Sequence, residues 1–213
     1  MVDIGDICRY KLQEIKIIDS LCGLCRRVIY IAKVKYQAEV IVRESEMMSI
    51  ENWNIPETLS YGSEYARVDV KKSIMQPFFS DGKWKTETVF VDFLEKSEAV
   101  EWWFKNGDRD ATFFAVPYQN GEQKPFYIDF IIKLKDGRVG LFDTKAGLTK
   151  EVAGPKIEGL HKYVQGQNKK NKKLFGGIVV NTDRNYHGRW VYFDRPSKDF
   201  RKDDFSNWQD LIL

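Results

Sequence analysis

A chain of 213 residues, 43% hydrophobic and 31% charged, with six Trp, ten Tyr and fourteen Phe, excludes a disordered protein and suits one sizeable core with an appendage. Thirty-four basic against thirty-one acidic residues leave a formal charge of +3, which neither requires nor excludes a polyanionic partner. Nothing resembles a signal peptide or an apolar run able to span a bilayer, and Cys8, Cys22 and Cys25 cannot all pair within the chain, so a cytoplasmic, reducing setting and no membrane partner are expected.

Residues 1–75 read as an N-terminal extension or linker and residues 76–213 as the folded domain. Cys22-Gly-Leu-Cys25 is a lone pair with no second pair and no nearby His, two ligands short of a zinc site, and chance spacing is the better reading. From Arg26 to Arg43 β-branched residues mix with a helical stripe of Ile31, Val34, Ala38 and Ile41, leaving strand and helix both open. Asn54 to Gly62 is a connector, and Tyr65 to Ile74 has strand character. Thr86 is a plausible N-cap for a helix to about Lys96, whose apolar face is Val89, Phe90, Phe93 and Leu94. Glu87 shares that face at three and seven residues from Phe90 and Leu94. The competing reading of Glu87 is a first-turn acid favoured by the helix dipole, worth roughly 0.3–1 kcal/mol.

Three strand-like runs follow, Val100 to Phe104, Ala111 to Tyr118 and Phe126 to Leu134, and then Arg138 to Lys145 after the turn signal Asp136-Gly137, together predicting an antiparallel meander. Pro155 suits the first position of a helix striped by Ile157, Leu160 and Val164, within which Gly159 costs about 1 kcal/mol relative to Ala. Leu174 to Asn181 reads as a buried strand and Gly188 to Phe193 as another. Phe205, Trp208, Leu211 and Ile212 suggest a short closing helix. Interleaved helices and strands place the chain in the α/β class.

An acid, any residue, then Lys occurs five times, at Glu14, Asp69, Asp81, Glu122 and Asp143, so the tripeptide alone is weak. Only Asp143-Thr144-Lys145 ends a strongly apolar strand whose hairpin partner carries another acid, Asp129. Alternation puts Asp143 and Lys145 on one face. A two-residue Asp136-Gly137 loop would set Phe130 opposite Asp143 and separate the acids. A three-residue Lys135-Asp136-Gly137 loop pairs Leu134 with Arg138 and sets Asp129 opposite Asp143. Phe126, Ile128, Phe130, Ile132 and Leu134 form one apolar face, and the first register would desolvate Asp143 and Lys145 against it at a cost of several kcal/mol. The second register is therefore expected. Two carboxylates held together repel unless a cation sits between them, and oxygen ligands, with the Thr144 carbonyl as a further donor, favour Mg²⁺ or Mn²⁺. Lys145 could then orient or help deprotonate a water attacking phosphorus. The bland alternative is an Asp143–Lys145 surface salt bridge worth roughly 0–1 kcal/mol. The densest basic run, Lys169, Lys170, Lys172 and Lys173, is a candidate nucleic-acid contact or a solvated loop.

Glu87 to Glu95, Val100-Glu-Trp-Trp-Phe-Lys-Asn-Gly107, Phe114 to Tyr118, Phe126 to Phe130, Phe142 to Gly147, Lys156 to Tyr163 and Gly176 to Val179 together resemble the PD-(D/E)xK nucleases, in particular the endonuclease domain that ends type III restriction subunits. The resemblance covers about residues 76 to 181, with the Trp-Trp-Phe-Lys-Asn-Gly segment its most specific part. It implies a restriction-endonuclease-like mixed sheet flanked by helices, metal held at Asp129 and Asp143, Lys145 serving the water, and Glu87 as the acid of the first helix. Double-stranded DNA is the implied substrate and Mg²⁺ the implied cofactor. Ile128 stands where the family usually has Pro, and Asp143 where this branch often has Glu. The related subunits are ATP-driven, whereas this chain has no G-x-x-x-x-G-K-[ST] loop, so a separate helicase/translocase or modification methyltransferase subunit is the implied partner. The competing class is a catalytically silent DNA-binding or assembly domain on the same fold.

Overall fold

The computed structural model of the chain describes residues 53–108, 112–145, 150–201 and 204–213. Within them lie strands β1 (Ala66–Val68), β2 (Phe78–Ser80), β3 (Val100–Lys105), β4 (Ala115–Asn120), β5 (Glu122–Tyr127), β6 (Phe130–Leu134), β7 (Val139–Thr144), β8 (Leu174–Asn181), β9 (Trp190–Phe193) and β10 (Gln209–Asp210), with helices α1 (Lys85–Lys96) and α2 (Lys150–Asn168). The three cysteines, the 26–43 stretch, Glu14 and Gly147 fall outside the described residues.

One six-stranded mixed sheet runs β10-β9-β8-β7-β6-β3, antiparallel throughout except for β7 and β8, which lie parallel and are joined through α2. A helical crossover is what a parallel pair requires. On one face α1 buries Phe90 and Leu94 against Trp103, Phe130, Ile132, Leu134 and Phe142. On the other, α2 buries Ala153, Ile157 and Leu160 against Phe104, Ile131, Leu141 and Ile178. The β4–β5 hairpin covers this second face beside α2. The architecture is thus α/β with a mixed sheet between helical layers.

Several expectations need correction. Phe126 to Leu134 is not one strand. The chain pairs β5 with β4, bends at Ile128 and Asp129, and only then joins the main sheet as β6. Phe126 and Ile128 consequently enter the α2-side core, whereas Phe130, Ile132 and Leu134 enter the α1-side core. The bend transfers the apolar side chains from one face to the other, and the expected meander becomes a hairpin excursion between β3 and β6. Thr86 lies inside α1, buried, with its hydroxyl 2.6 Å from the Tyr186 hydroxyl, and the residue before the helix is Trp84, which makes no side-chain cap. Pro155 lies inside α2, which starts five residues earlier at Lys150. The strand expected over Tyr65 to Ile74 shrinks to Ala66–Val68, and the closing helix is a 3-10 turn, Phe205–Asn207, followed by β10.

Residues ahead of Pro77 also reach the core. Trp53 packs its ring 5.3 Å from Phe114 and 5.9 Å from Phe104, and Glu95 accepts hydrogen bonds from the Lys71 and Lys72 amides and from the Trp103 indole.

Gly159 has a positive reason to be glycine. A Cβ built there would sit 2.7 Å from Tyr118 Cβ and 2.8 Å from the Pro117 carbonyl oxygen, so its absence lets the β4–β5 hairpin lie directly on α2. Gly159→Ala is therefore expected to lower stability by about 1–3 kcal/mol, against the gain of about 1 kcal/mol that helix propensity alone predicts. Thermal unfolding followed by circular dichroism decides the sign, and a raised midpoint would show that the hairpin can retreat.

Candidate functional site

The β6–β7 hairpin sets the position of the acids. Leu134 donates to the Arg138 carbonyl at 2.9 Å, Gly137 donates to the Leu134 carbonyl at 3.0 Å, and Gly137 has φ of +89°. This is the three-residue loop, and the ladder runs Lys133 with Val139, Ile132 with Gly140, Ile131 with Leu141 and Phe130 with Phe142. Pairing then stops. Asp129 donates its N–H to the Phe142 carbonyl at 3.0 Å, so it and Phe130 both stand against Phe142, as in a bulge. Its Oδ2 accepts from both the N–H and the hydroxyl of Thr144, each at 2.7 Å, and its own carbonyl accepts from Asn106 N–H at 2.8 Å. Asp129 therefore sits beside Asp143 with its carboxylate swung one residue further, onto Thr144.

Asp143 shares a face with Leu141, on the α2 side of the sheet, and is only 2% exposed. Lys145 Nζ lies 2.8 Å from Asp143 Oδ2, yet that oxygen receives no well-aligned hydrogen bond. Burial pushes the Asp143 carboxyl up to about 7, with the neighbouring Asp129 charge adding to the rise and Lys145 and Lys156 opposing it. Burial works against the Lys145 charge, but Asp143, Asp129 and Glu87 outweigh it, and the ammonium is held above its ordinary range. Glu87 approaches from α1. Desolvation raises its carboxyl, and Lys105 partly offsets the effect.

Lys105 joins the two sides. Its Nζ is 3.2 Å from Glu87 Oε2 and 3.7 Å from Asp129 Oδ1, and it lies over the Phe130 ring at 5.2 Å. Asn106, 4% exposed, donates from its amide to the Phe114 and Ile128 carbonyls and accepts from Phe114 N–H, so it pins the chain on both sides of the excursion. Neither residue was singled out from the sequence. Both stand in the Trp-Trp-Phe-Lys-Asn-Gly segment, where a polar pair ending a buried aromatic strand was the available signal.

Glu87, Asp129, Asp143, Thr144 and Lys145 thus converge at the C-terminal end of β7. Lys169, Lys170, Lys172 and Lys173 do not join them. Lys173 accepts the Val139 N–H at 2.9 Å, which puts this run at the opposite end of β7, about 13 Å of strand from Asp143. Asp69-Val70-Lys71, the rival tripeptide, lies beyond the end of β1. A groove of about 860 Å³ between the β4–β5 hairpin and α2, lined by Tyr118, Gly159, Lys162 and their neighbours, contains none of the clustered acids. Among the described residues no three His, Cys, Asp or Glu side chains close around a common metal-sized point, and no helix is long and apolar enough to cross a membrane. Comparisons with family models, curated proteins and solved structures return no match.

The Asp143 environment has a consequence for stability. Its folded pKa, about 7, exceeds the ordinary aspartate value of 3.8, so the folded state binds the extra proton and ionising Asp143 disfavours folding. The penalty grows from about pH 4 to about pH 7 and is constant above. Asp143→Asn should therefore stabilise the metal-free protein by about 1–4 kcal/mol above pH 7, with the difference vanishing toward pH 4. Urea unfolding across this range checks it, and a gain independent of pH would place the cause elsewhere.

Proposed function

We propose that the chain is a metal-dependent phosphodiesterase acting on double-stranded DNA, a PD-(D/E)xK nuclease with a restriction-endonuclease-like fold. The observation that carries the reading is the Asp143 carboxylate: buried, incompletely hydrogen-bonded, and beside a second acid at the end of a central strand. A carboxylate costs several kcal/mol to bury unless a cation compensates it, and Lys145 offers one poorly aligned contact. Such groups concentrate at functional sites.

The donor set fits a hard divalent cation. Asp143 and Asp129, the latter through Oδ1, offer carboxylate oxygens from neighbouring stretches of chain, and the Thr144 carbonyl points to the same edge of β7 as its N–H, which faces Asp129. When bound, Mg²⁺ or Mn²⁺ supplies Lewis acidity toward a phosphodiester. The protein's own part is positional. Thr144 and Asn106 fix Asp129, and the sheet fixes Asp143. Lys145, held protonated by its acidic neighbours, orients a water and offsets charge developing on the phosphoryl oxygens, a role its raised pKa favours over that of a base. A separate translocase or modification subunit as partner, and a cytoplasmic setting, belong to the same proposal.

A second reading has an observation of its own. Lys105 and Lys145 between them give Glu87, Asp129 and Asp143 internal counter-ions, as a silent DNA-binding or assembly domain would need.

Two variants separate these readings. With Mn²⁺ and supercoiled plasmid the wild type should nick or cut. Asp143→Ala should lose both metal binding and cleavage, whereas Lys145→Ala should keep metal binding, by calorimetry, and lose about 10²–10⁴ in rate. An intact plasmid in every variant together with no heat of metal binding would favour the silent domain. The remote lysine run is proposed as a phosphate contact away from the cleavage point. Replacing Lys169, Lys170, Lys172 and Lys173 together should flatten the salt dependence of DNA affinity, measured by fluorescence anisotropy in EDTA, and an unchanged slope would make the run a solvated loop.

A further inference from the structure

We propose that Lys105 is a positioning residue that sets the divalent-cation affinity of the cluster, its ammonium occupying the carboxylate oxygens that an incoming ion would claim. The inference rests on the metal-site reading above and adds a residue that reading did not contain.

Four features of the geometry support it. Lys105 is the last residue of β3, and its Nζ bridges acids from two different elements, Glu87 of α1 at 3.2 Å and Asp129 at 3.7 Å. The side chain is about one quarter exposed, so the ammonium can exchange these carboxylates for water without unfolding anything around it. Its position is nonetheless held, by the Phe130 ring beneath the ammonium and by the pairing of Lys105 with Phe130 in the sheet. Asp129 Oδ2 is already engaged by Thr144, which leaves Oδ1, the oxygen nearest Lys105, as the one free to take a cation. The ammonium and a divalent ion cannot both stand close to that oxygen without repulsion.

The charges of the cluster make the same point. Glu87, Asp129 and Asp143 face Lys105 and Lys145. Lys145 pairs with Asp143, where the reaction needs it. Lys105 pairs with the two acids on the other side and keeps them from repelling one another while no metal is bound. A merely structural brace and a competing cation predict opposite signs. Removing a brace loosens the ligands and weakens metal binding, whereas removing a competitor strengthens it.

The test is isothermal titration calorimetry of Mn²⁺ alone, without DNA, into the full chain and into Lys105→Met and Lys105→Arg. Met keeps the stem over Phe130 and drops the charge. Its dissociation constant for Mn²⁺ is expected to fall at least about tenfold. Arg keeps the charge and is expected to stay close to the wild-type value. Thermal unfolding supplies an independent readout, since Mn²⁺ should raise the midpoint of Lys105→Met more than that of the wild type. If Lys105→Met does not fold, Lys105→Gln, neutral but still a hydrogen-bond donor, reports the same quantity. Equal or weaker binding by the neutral variant while the wild type binds Mn²⁺ and cuts plasmid would overturn the role of Lys105 and leave the nuclease reading standing. Absence of binding in wild type and variants alike would overturn both.

Discussion

Gly137 at φ +89° is the constraint on which the arrangement of charges depends. Only a residue without a Cβ adopts that conformation readily, and it closes a three-residue loop that Asp136 reinforces by accepting from the Arg138 N–H at 2.9 Å. The register of β6 on β7 follows. Because side chains alternate along a strand, a shift of one residue would carry Asp143 from the α2 face to the α1 face and press it against Phe90 and Phe130. The same shift would draw Phe142 out of the aromatic cluster in which it meets Phe90, Phe175 and Tyr192. The cost of misplacing a charge and the cost of losing an aromatic core residue therefore act in one direction.

Asp129 provides the second adjustment. By standing with Phe130 against a single residue of β7, it lets the β4–β5 hairpin, which packs on α2, feed a strand whose even-numbered side chains face α1. The bend is stabilised by groups that also aim the carboxylate: Thr144 holds Oδ2, Asn106 holds the backbone carbonyl, and Phe142 accepts the amide. A feature that solves a packing problem thus also fixes an acid, which accounts for Asn106 being buried with its amide fully committed. Bulges of this type re-aim side chains and mark the ends of pairing.

The parts of this arrangement that were legible in the sequence are those governed by local periodicity. α1 ends where its apolar stripe ends, β8 matches its apolar run from Leu174 to Asn181, and the β6–β7 register is the three-residue one, although Asp143 is buried in it as well, so escape from desolvation is not what selects it. Long-range geometry was not legible. Phe126 and Ile128 read as continuous with Phe130 because alternation is blind to a bend that swaps faces. Pro155 read as a helix start because its preference for the first turn is a prior, overridden here by a helix that begins at Lys150. Gly159 read as a weak point because propensity takes no account of a hairpin whose Pro117 carbonyl oxygen would lie 2.8 Å from an added Cβ. Lys105 was missed for a related reason. Its partners are Glu87, eighteen positions before it, and Asp129, twenty-four after it, and only the fold brings the three together.

The electrostatics of the cluster follow from this uneven neutralisation. Lys105 serves two partly exposed carboxylates and Lys145 serves one that is almost wholly buried, so the least solvated acid carries the largest penalty. A core selected for stability alone would replace such an acid, since exchanging a buried ion pair for apolar side chains of similar volume is often neutral or stabilising. Leu141, two residues earlier on the same face, and Ile178, alongside on β8, are the apolar neighbours such a replacement would meet. Asp143 therefore contributes a penalty to the fold rather than a support, as the upward shift of its carboxyl requires. Glu87 and Asp129, whose charges remain within reach of water, carry a smaller penalty than Asp143.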